Sequence, residues 1–167
     1  MRLRPYRATD GNYIADWIDS EEAHIKWSAG RIVYGFTGEQ LTARLSEAEL
    51  IWGDMSFTAV TDEGHPIGFF SMNINYEDNS AFLMRIIVDG SRRGKGLGTQ
   101  MLALAAKYVF EIAGCDQMSL VVFDENAGAV KCYDKFGFKS DGKLEDYVWN
   151  GHSYGRTRLV LRKEDFK

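Results

Sequence analysis

The stretch VDGSRRGKGLGTQML, residues 88–102, limits the folds open to this chain more than any other. Four glycines and three cations stand there between an apolar, β-branched run and a run of helical character. Glycine inside an element costs roughly 0.5–1 kcal/mol relative to alanine, so a cluster at a strand-to-helix junction marks a backbone that a ligand approaches closely. The neighbouring arginines and lysine point to an anion, a phosphate before others.

At 167 residues the chain has room for one core, and a single domain over 1–167 is expected. A formal net charge of −4 argues against a basic surface for nucleic acid, so a phosphate partner should be small. Cys115 and Cys132 make no disulfide framework, and His24, His65 and His152 lie too far apart for a metal-ligand pattern, so no metal is expected. The opening MRLRPYRATDG lacks the apolar core of a signal peptide, and no uncharged apolar stretch reaches the roughly 20 residues that span a bilayer. Free thiols, a cytoplasmic setting and no membrane partner are the expectation. Oligomeric state is not readable from the letters, and a homodimer stays open.

Along the chain, MRLRPYR alternates as a strand does. TDGNYIADWIDSEE follows as one helix, with Thr9 or Asp10 as its cap and Tyr13, Ile14, Trp17 and Ile18 as its apolar positions. TGEQLTARLSEAEL reads as a second helix opening at Thr37 and Gly38, with Leu41, Leu45 and Leu50 inside. SFTAVTDEGHPIGFFSMNINY and SAFLMRIIV give three strands in succession, an antiparallel meander. From Gly96 the period becomes 3.6, with Leu97, Met101, Leu104, Ala105, Tyr108 and Ile112 on one face and Gly114 as the stop. MSLVVF is a buried-type strand, Asn126 caps a helix ending at Gly137, and Asn150-Gly151 between aromatic, β-branched runs signals a hairpin.

The glycine loop fails as a Walker A motif, because Lys95 is followed by Gly96 and not by a hydroxyl. Gly94, Gly96 and Gly98 give G-x-G-x-G, one residue short of the dinucleotide fingerprint, which stays a lesser alternative. Arg93-Gly94-Lys95-Gly96-Leu97-Gly98 does match [QR]-x-x-G-x-[GA], and NAGAVKCYDKFGF matches N-x-x-[AS]-x-x-x-Y-x-[KR]-x-G-F. With this pair in order over residues 81–138, the chain resembles the GNAT superfamily of acyl-CoA-dependent N-acyltransferases.

The resemblance implies an α/β (α+β) GNAT-like fold, a mixed central sheet of about seven strands with helices on both faces, in the order β-α-α-β-β-β-α-β-α-β-β. It implies acetyl-CoA as cosubstrate, held by backbone N–H groups from Arg93 through Lys95, Leu97 and Gly98 to Thr99 at a helix N-terminus. It also implies a thioester and pantetheine contact at Ile87 and Val88, where one strand splays from its neighbour, and a pantetheine contact at Asn126. Tyr133 falls where the family places its general acid, although its spacing with Ala129, Val130 and Phe136 equally suits a core aromatic.

The expected reaction is acetyl transfer to a primary amine, a small molecule or a protein N-terminus, by direct attack in a ternary complex. A non-catalytic acyl-CoA-binding module is the alternative. Many relatives carry a glutamate on the strand before the loop. Here SAFLMRIIV has Arg85 in its middle and no carboxylate, which leaves Glu77, Asp78 or water as the base. The acceptor side should lie in WIDSEEAHIKW and DYVWNGHSYG, with Trp17, Glu21, Glu22, Trp27, Tyr147 and Trp149 as candidates and His24 and His152 as packing or surface residues.

Overall fold

The structure, a computed structural model, describes residues 1–166. Its strands are β1 (Arg2–Pro5), β2 (Met55–Val60), β3 (Pro66–Asn75), β4 (Ser80–Val88), β5 (Gln117–Phe123), β6 (Lys139–Trp149) and β7 (His152–Arg162). They form one seven-stranded sheet in the order β1-β2-β3-β4-β5-β7-β6. The pairs are antiparallel except for β4 with β5, which is parallel. The helices are α1 (Gly11–Asp16), α2 (Glu21–Ser28), α3 (Gly38–Trp52), α4 (Leu97–Lys107) and α5 (Ala127–Phe136).

Alternation along β3 sorts the helices into two layers. Phe69 points to Ile14 of α1 and to Leu41 and Leu45 of α3, whereas Phe70 and Met72 point to Met101 and Ala105 of α4. The expected mixed sheet with helices on both faces is therefore what the chain builds, with one more helix before β2. Strand β4 covers the whole of SAFLMRIIV, and α5 begins after Asn126, whose side chain accepts from the Ala129 N–H. The hairpin turns at Asn150 and Gly151, both at positive φ (47° and 76°) as a type I′ turn needs. Edge strand β6 is exposed over most of its length and slips register against β7 twice, between Ser140 and Gly142 and between Leu144 and Tyr147.

Three local readings differ. The helix read through TDGNYIADWIDSEE ends at Asp16 and restarts at Glu21, because Ser20 takes the Ala23 N–H and caps α2 (3.2 Å). Thr37 and Gln40 do cap α3 reciprocally, and Leu41 and Leu45 are buried, but Leu50 near its end is 87% exposed. After α4 the chain widens into a π-turn over Tyr108–Ile112, with the Ala113 N–H reaching the Tyr108 carbonyl (2.8 Å). The wider turn shifts the buried face to Val109 and Phe110 and leaves Ile112 71% exposed.

Asp10, expected as a helix cap, instead joins three elements. Its Oδ2 accepts from Arg4 Nη1 (2.7 Å), Thr58 Oγ1 (2.7 Å) and the Arg7 N–H (2.9 Å), and its Oδ1 accepts from Arg4 Nη2 (2.7 Å). Burial alone would raise this carboxyl, but the bonds from Arg4, Thr58 and Arg7 outweigh it and hold the group below the usual range. A lowered folded-state pKa gives stability that is complete above the unfolded value of about 3.9 and is lost as pH falls through the folded one. Chemical denaturation should find Asp10→Asn less stable by roughly 2–3 kcal/mol at neutral pH, with the gap to wild type closing below about pH 4.

Candidate functional site

The site begins where two strands part. β4 and β5 pair from Ser80 with Gln117 to Leu83 with Leu120, after which β5 stays on β7 as far as Phe123 with Arg156. β4 continues to Val88 paired on its β3 side only. Phe69 faces Ile87 and Ser71 faces Met84, so β4 carries one residue more than β3 in that interval, a bulge at which Arg85 takes φ +54°. A cavity of about 710 Å3 opens beside Ile86, Ile87 and Val88, the last two being the residues for which the resemblance implies a thioester contact.

Beyond Val88 the chain turns under Asp89, whose Oδ1 accepts from the Ser91 N–H (2.9 Å) and hydroxyl (2.7 Å). Burial opposes ionisation of Asp89, but Ser91 and the Arg92 guanidinium overcome it and hold the carboxyl below its usual range. Gly94 and Gly96 then take left-handed φ values of 77° and 74°. A Cβ at either would meet nothing within 4 Å, so the space above the loop is open. Gly96 is the N-cap of α4 and offers no side-chain acceptor, which leaves first-turn N–H groups of Leu97, Gly98 and Thr99 bordering the cavity. Arg93 lines it too. Lys95 is exposed and is not part of the wall.

The opposite wall is α5. Asn126 Oδ1 caps its own helix at 3.3 Å, and among the described residues its amide N–H2 has no hydrogen-bond partner. Tyr133 is buried and packs edge-on against Phe138 (5.8 Å between centroids), yet its side chain also borders the cavity. Among the described residues nothing hydrogen-bonds its hydroxyl. Burial first, and the Cys132 thiol second, push its pKa well above the ordinary phenol value, so it stays protonated.

The third wall is α2 together with Trp17 at the end of α1. Trp17, Glu22 and Trp27 reach the cavity, whereas Glu21, Tyr147 and Trp149 are not on it. Tyr147 and Trp149 pack with Ala29 on Ile25, Phe123 and Tyr154, bracing α2 from behind. His24 is a buried packing residue between Trp27, Tyr34 and Phe36, and burial lowers its pKa; His152 meets Glu125 at the surface (2.9 Å). Arg85 turns to Asp54, and Glu77 and Asp78 sit at the far end of β4, roughly 25 Å of strand from Val88.

Sequence reading missed Ser20, Ala23, Lys26 and Cys132 on the wall. Helical spacing could have found them, since Ser20, Ala23 and Trp27 share one face of α2, and Cys132 adjoins Tyr133 on α5. Glu22 is the one carboxylate lining the cavity among the described residues, and its Lys26 partner at 2.5 Å holds it below the usual range. Among the described residues no three potential metal ligands come together, and no helix is long and apolar enough to cross a membrane. Open space above the left-handed glycines, uncapped helix donors and the unpartnered Tyr133 hydroxyl fit a pyrophosphate-bearing thioester such as acetyl-CoA.

Comparison with known proteins agrees with this geometry. The model of the acetyltransferase (GNAT) family matches residues 16–138, and the chain belongs to that family. It is similar to the spermine/spermidine N(1)-acetyltransferase of Bacillus subtilis (strain 168), 34% identical over 89 residues, 50% of this chain and 59% of that protein. It is similar also to the N-acetylaspartate synthetase of Homo sapiens, 34% identical over 127 residues, 67% of this chain and 40% of that protein. This chain thus spans about half the length of such relatives. Among solved structures, the spermidine N-acetyltransferase from Vibrio cholerae in complex with CoA and spermine superimposes with a TM-score of 0.82 at 22% identity, over 98% of this chain and 96% of that one. A dodecameric structure of spermidine N-acetyltransferase from Vibrio cholerae gives 0.74 at 24% identity, over 98% and 94%. At these identities the structural likeness is one of fold.

CoA should raise the melting temperature while NAD and ATP raise it far less, because a ligand of the native state alone stabilises it by mass action. Gly96→Val puts a branched side chain at φ +74° in the open space. Calorimetric titration of the folded variant should show CoA affinity falling by at least tenfold; wild-type affinity would refute the loop's role.

Proposed function

We propose that this chain is an N-acetyltransferase that transfers an acetyl group from acetyl-CoA to a primary amine by direct attack in a ternary complex, with Tyr133 as general acid. The observation that carries the reading is one cavity bordered by the left-handed glycine loop, by the freed backbone of Ile86–Val88 and by Tyr133. The amine nitrogen attacks the thioester carbonyl carbon, the carbon–sulfur bond breaks, an amide forms, and CoA leaves as the thiol. Backbone N–H groups near Val88 hold the carbonyl oxygen, while those of Arg93, Gly94 and Gly96 to Thr99, helped by the Arg93 charge and the Asn126 amide, hold the pyrophosphate and pantetheine.

A buried phenol is fully protonated when the reaction starts. Its raised pKa makes transfer to a thiolate near 8.5 uphill, so the phenol first hydrogen-bonds the sulfur as charge develops there, gives up its proton as the carbon–sulfur bond breaks, and regains one from the proton that the amine loses to water. An amine of lysine type costs about 4.6 kcal/mol to deprotonate at pH 7. Glu22, held low by Lys26, is a charge partner for an ammonium and a poor base, so the proton leaves through water at the open mouth. A carboxylate beside Trp17 and Trp27 suits a cationic alkyl amine. The name of the Bacillus subtilis relative supports a polyamine.

We assign the activity to one domain over residues 1–167. A cytoplasmic setting suits its two free thiols, and the dodecameric relative supports self-association, with a homodimer as the smallest form.

Free-thiol release from acetyl-CoA across a panel of spermidine, spermine and aspartate tests the reading, and no turnover with any amine would leave a binding module. Tyr133→Phe should lower kcat by about 10²–10⁴ with CoA affinity nearly constant. Undiminished kcat in the folded variant, on a substrate whose chemistry is rate-limiting, returns Tyr133 to the core. Glu22→Gln should raise the spermidine KM about two- to fivefold and leave kcat near wild type, an effect that salt should shrink.

A further inference from the structure

Arg85 is a largely buried charge that the reaction scheme leaves unused. It occupies the β4 bulge at φ +54°, a conformation that costs an arginine energy and persists only where the surroundings impose it. Three bonds impose it here. Nη2 donates to Asp54 Oδ2 (2.9 Å), Nε donates to Ser71 Oγ (3.3 Å), and the Arg85 carbonyl accepts from Trp27 Nε1 (2.8 Å). Asp54 follows Gly53, the left-handed residue that closes α3, and its Oδ1 accepts from Asn73 Nδ2 (3.1 Å). The two charged side chains are 11% and 8% exposed.

Such a pair recovers in attraction about what it loses in hydration, so its net contribution to stability is small and what it supplies is geometry. The geometry in question is that of the cavity. Ile86, Ile87 and Val88 follow Arg85 directly and line one wall, and Trp27, bonded to the Arg85 carbonyl, lines another. Asp54 is the counter-charge, while Arg31 and Arg44 add like charge to the neighbourhood. Neutralising Asp54 would leave the Arg85 guanidinium without its counter-charge and free the bulge to relax.

We infer that the Asp54–Arg85 ion pair is a positioning device for acyl transfer, fixing the β4 bulge between α2 and α3 so that the Ile86–Val88 backbone and the Trp27 ring keep one geometry across the cavity. The inference rests on the acetyltransferase reading. Neither residue touches the reacting atoms; both act through the strand that does.

Asp54→Asn and Arg85→Lys, each in the full chain, test it by three measurements. Amide hydrogen exchange should speed up by at least tenfold over 84–88 and stay unchanged in α4 and β5. CoA affinity, set by the glycine loop, should stay within about threefold. With an amine substrate kcat should fall about ten- to a hundredfold, the scale expected for slight misplacement of reacting groups, while the amine KM rises by no more than about fivefold through the loosened Trp27 ring. Arg85→Lys keeps a cation facing Asp54 and should lose less. Unchanged exchange over 84–88 overturns the inference, as does faster exchange there with kcat intact. A kcat loss that follows a general loss of protection in both variants overturns it too, since the pair is then merely structural. If the wild type binds CoA yet turns over no amine, the acetyltransferase reading falls while exchange over 84–88 still decides whether the pair clamps the bulge.

Discussion

The early parting of β4 from β5 is the constraint on which the rest of the molecule depends. Parallel strands need a crossover, and here α4 provides it, starting nine residues after β4 ends. Had the pair stayed closed to Val88, the strand's polar groups would be consumed and the mouth of α4 would face a sealed sheet. Because the pairing stops at Leu83 with Leu120, the main chain of Ile86–Val88 and the first turn of α4 open on the same cavity. The extra residue in β4 and the left-handed turn at Arg85 belong to the same departure.

Under the proposed reaction the two sides of the cavity are built from different materials. The side proposed for the donor is main chain: the glycine loop, the uncapped start of α4 and the strand end, with Asn126 and Tyr133 opposite. The side proposed for the amine is mostly side chains on a short helix, and α2 is only eight residues long, too short to stand by itself. It is held by packing on two fronts. Trp27 stacks on Phe36 (5.7 Å) and His24 fills the space beside them, while Ile25 and Ala29 lean on Phe123, Tyr147, Tyr154 and Trp149. His24, lowered by burial, is a neutral part of that packing at physiological pH.

The succession of strands and helices along the chain, the meander, the loop and its helix were legible because each rests on local chemistry: alternation in SAFLMRIIV, glycines before α4, Asn126 before α5, Asn150-Gly151 between strands. The break between α1 and α2 was written in Ser20-Glu21-Glu22, an N-cap followed by an acidic first turn, but the continuing apolar period masked it. The π-turn at Tyr108–Ile112 left no local sign, since what selects it is the fit of Val109 and Phe110 into the core. The candidate donor residues were found through the motif, all but Lys95 on the cavity wall. Glu22 was already among the acceptor candidates, and Lys26 and Cys132 adjoin named residues along their helices, but only the way α2 and α5 face one another across space puts those helix faces on one cavity. Arg85 and Asp54 are 31 residues apart, beyond the reach of any local pattern.

Strand β6 ends the sheet with its outer hydrogen-bonding groups unmatched, the arrangement through which sheets recruit one another into fibrils. This edge is guarded. Two slips of register kink it, and Lys139, Asp141, Lys143, Glu145 and Asp146 would bring charges into any added ladder. A second chain therefore gains little by extending the sheet. Any assembly on this side of the sheet has to be made by docking folded faces against one another.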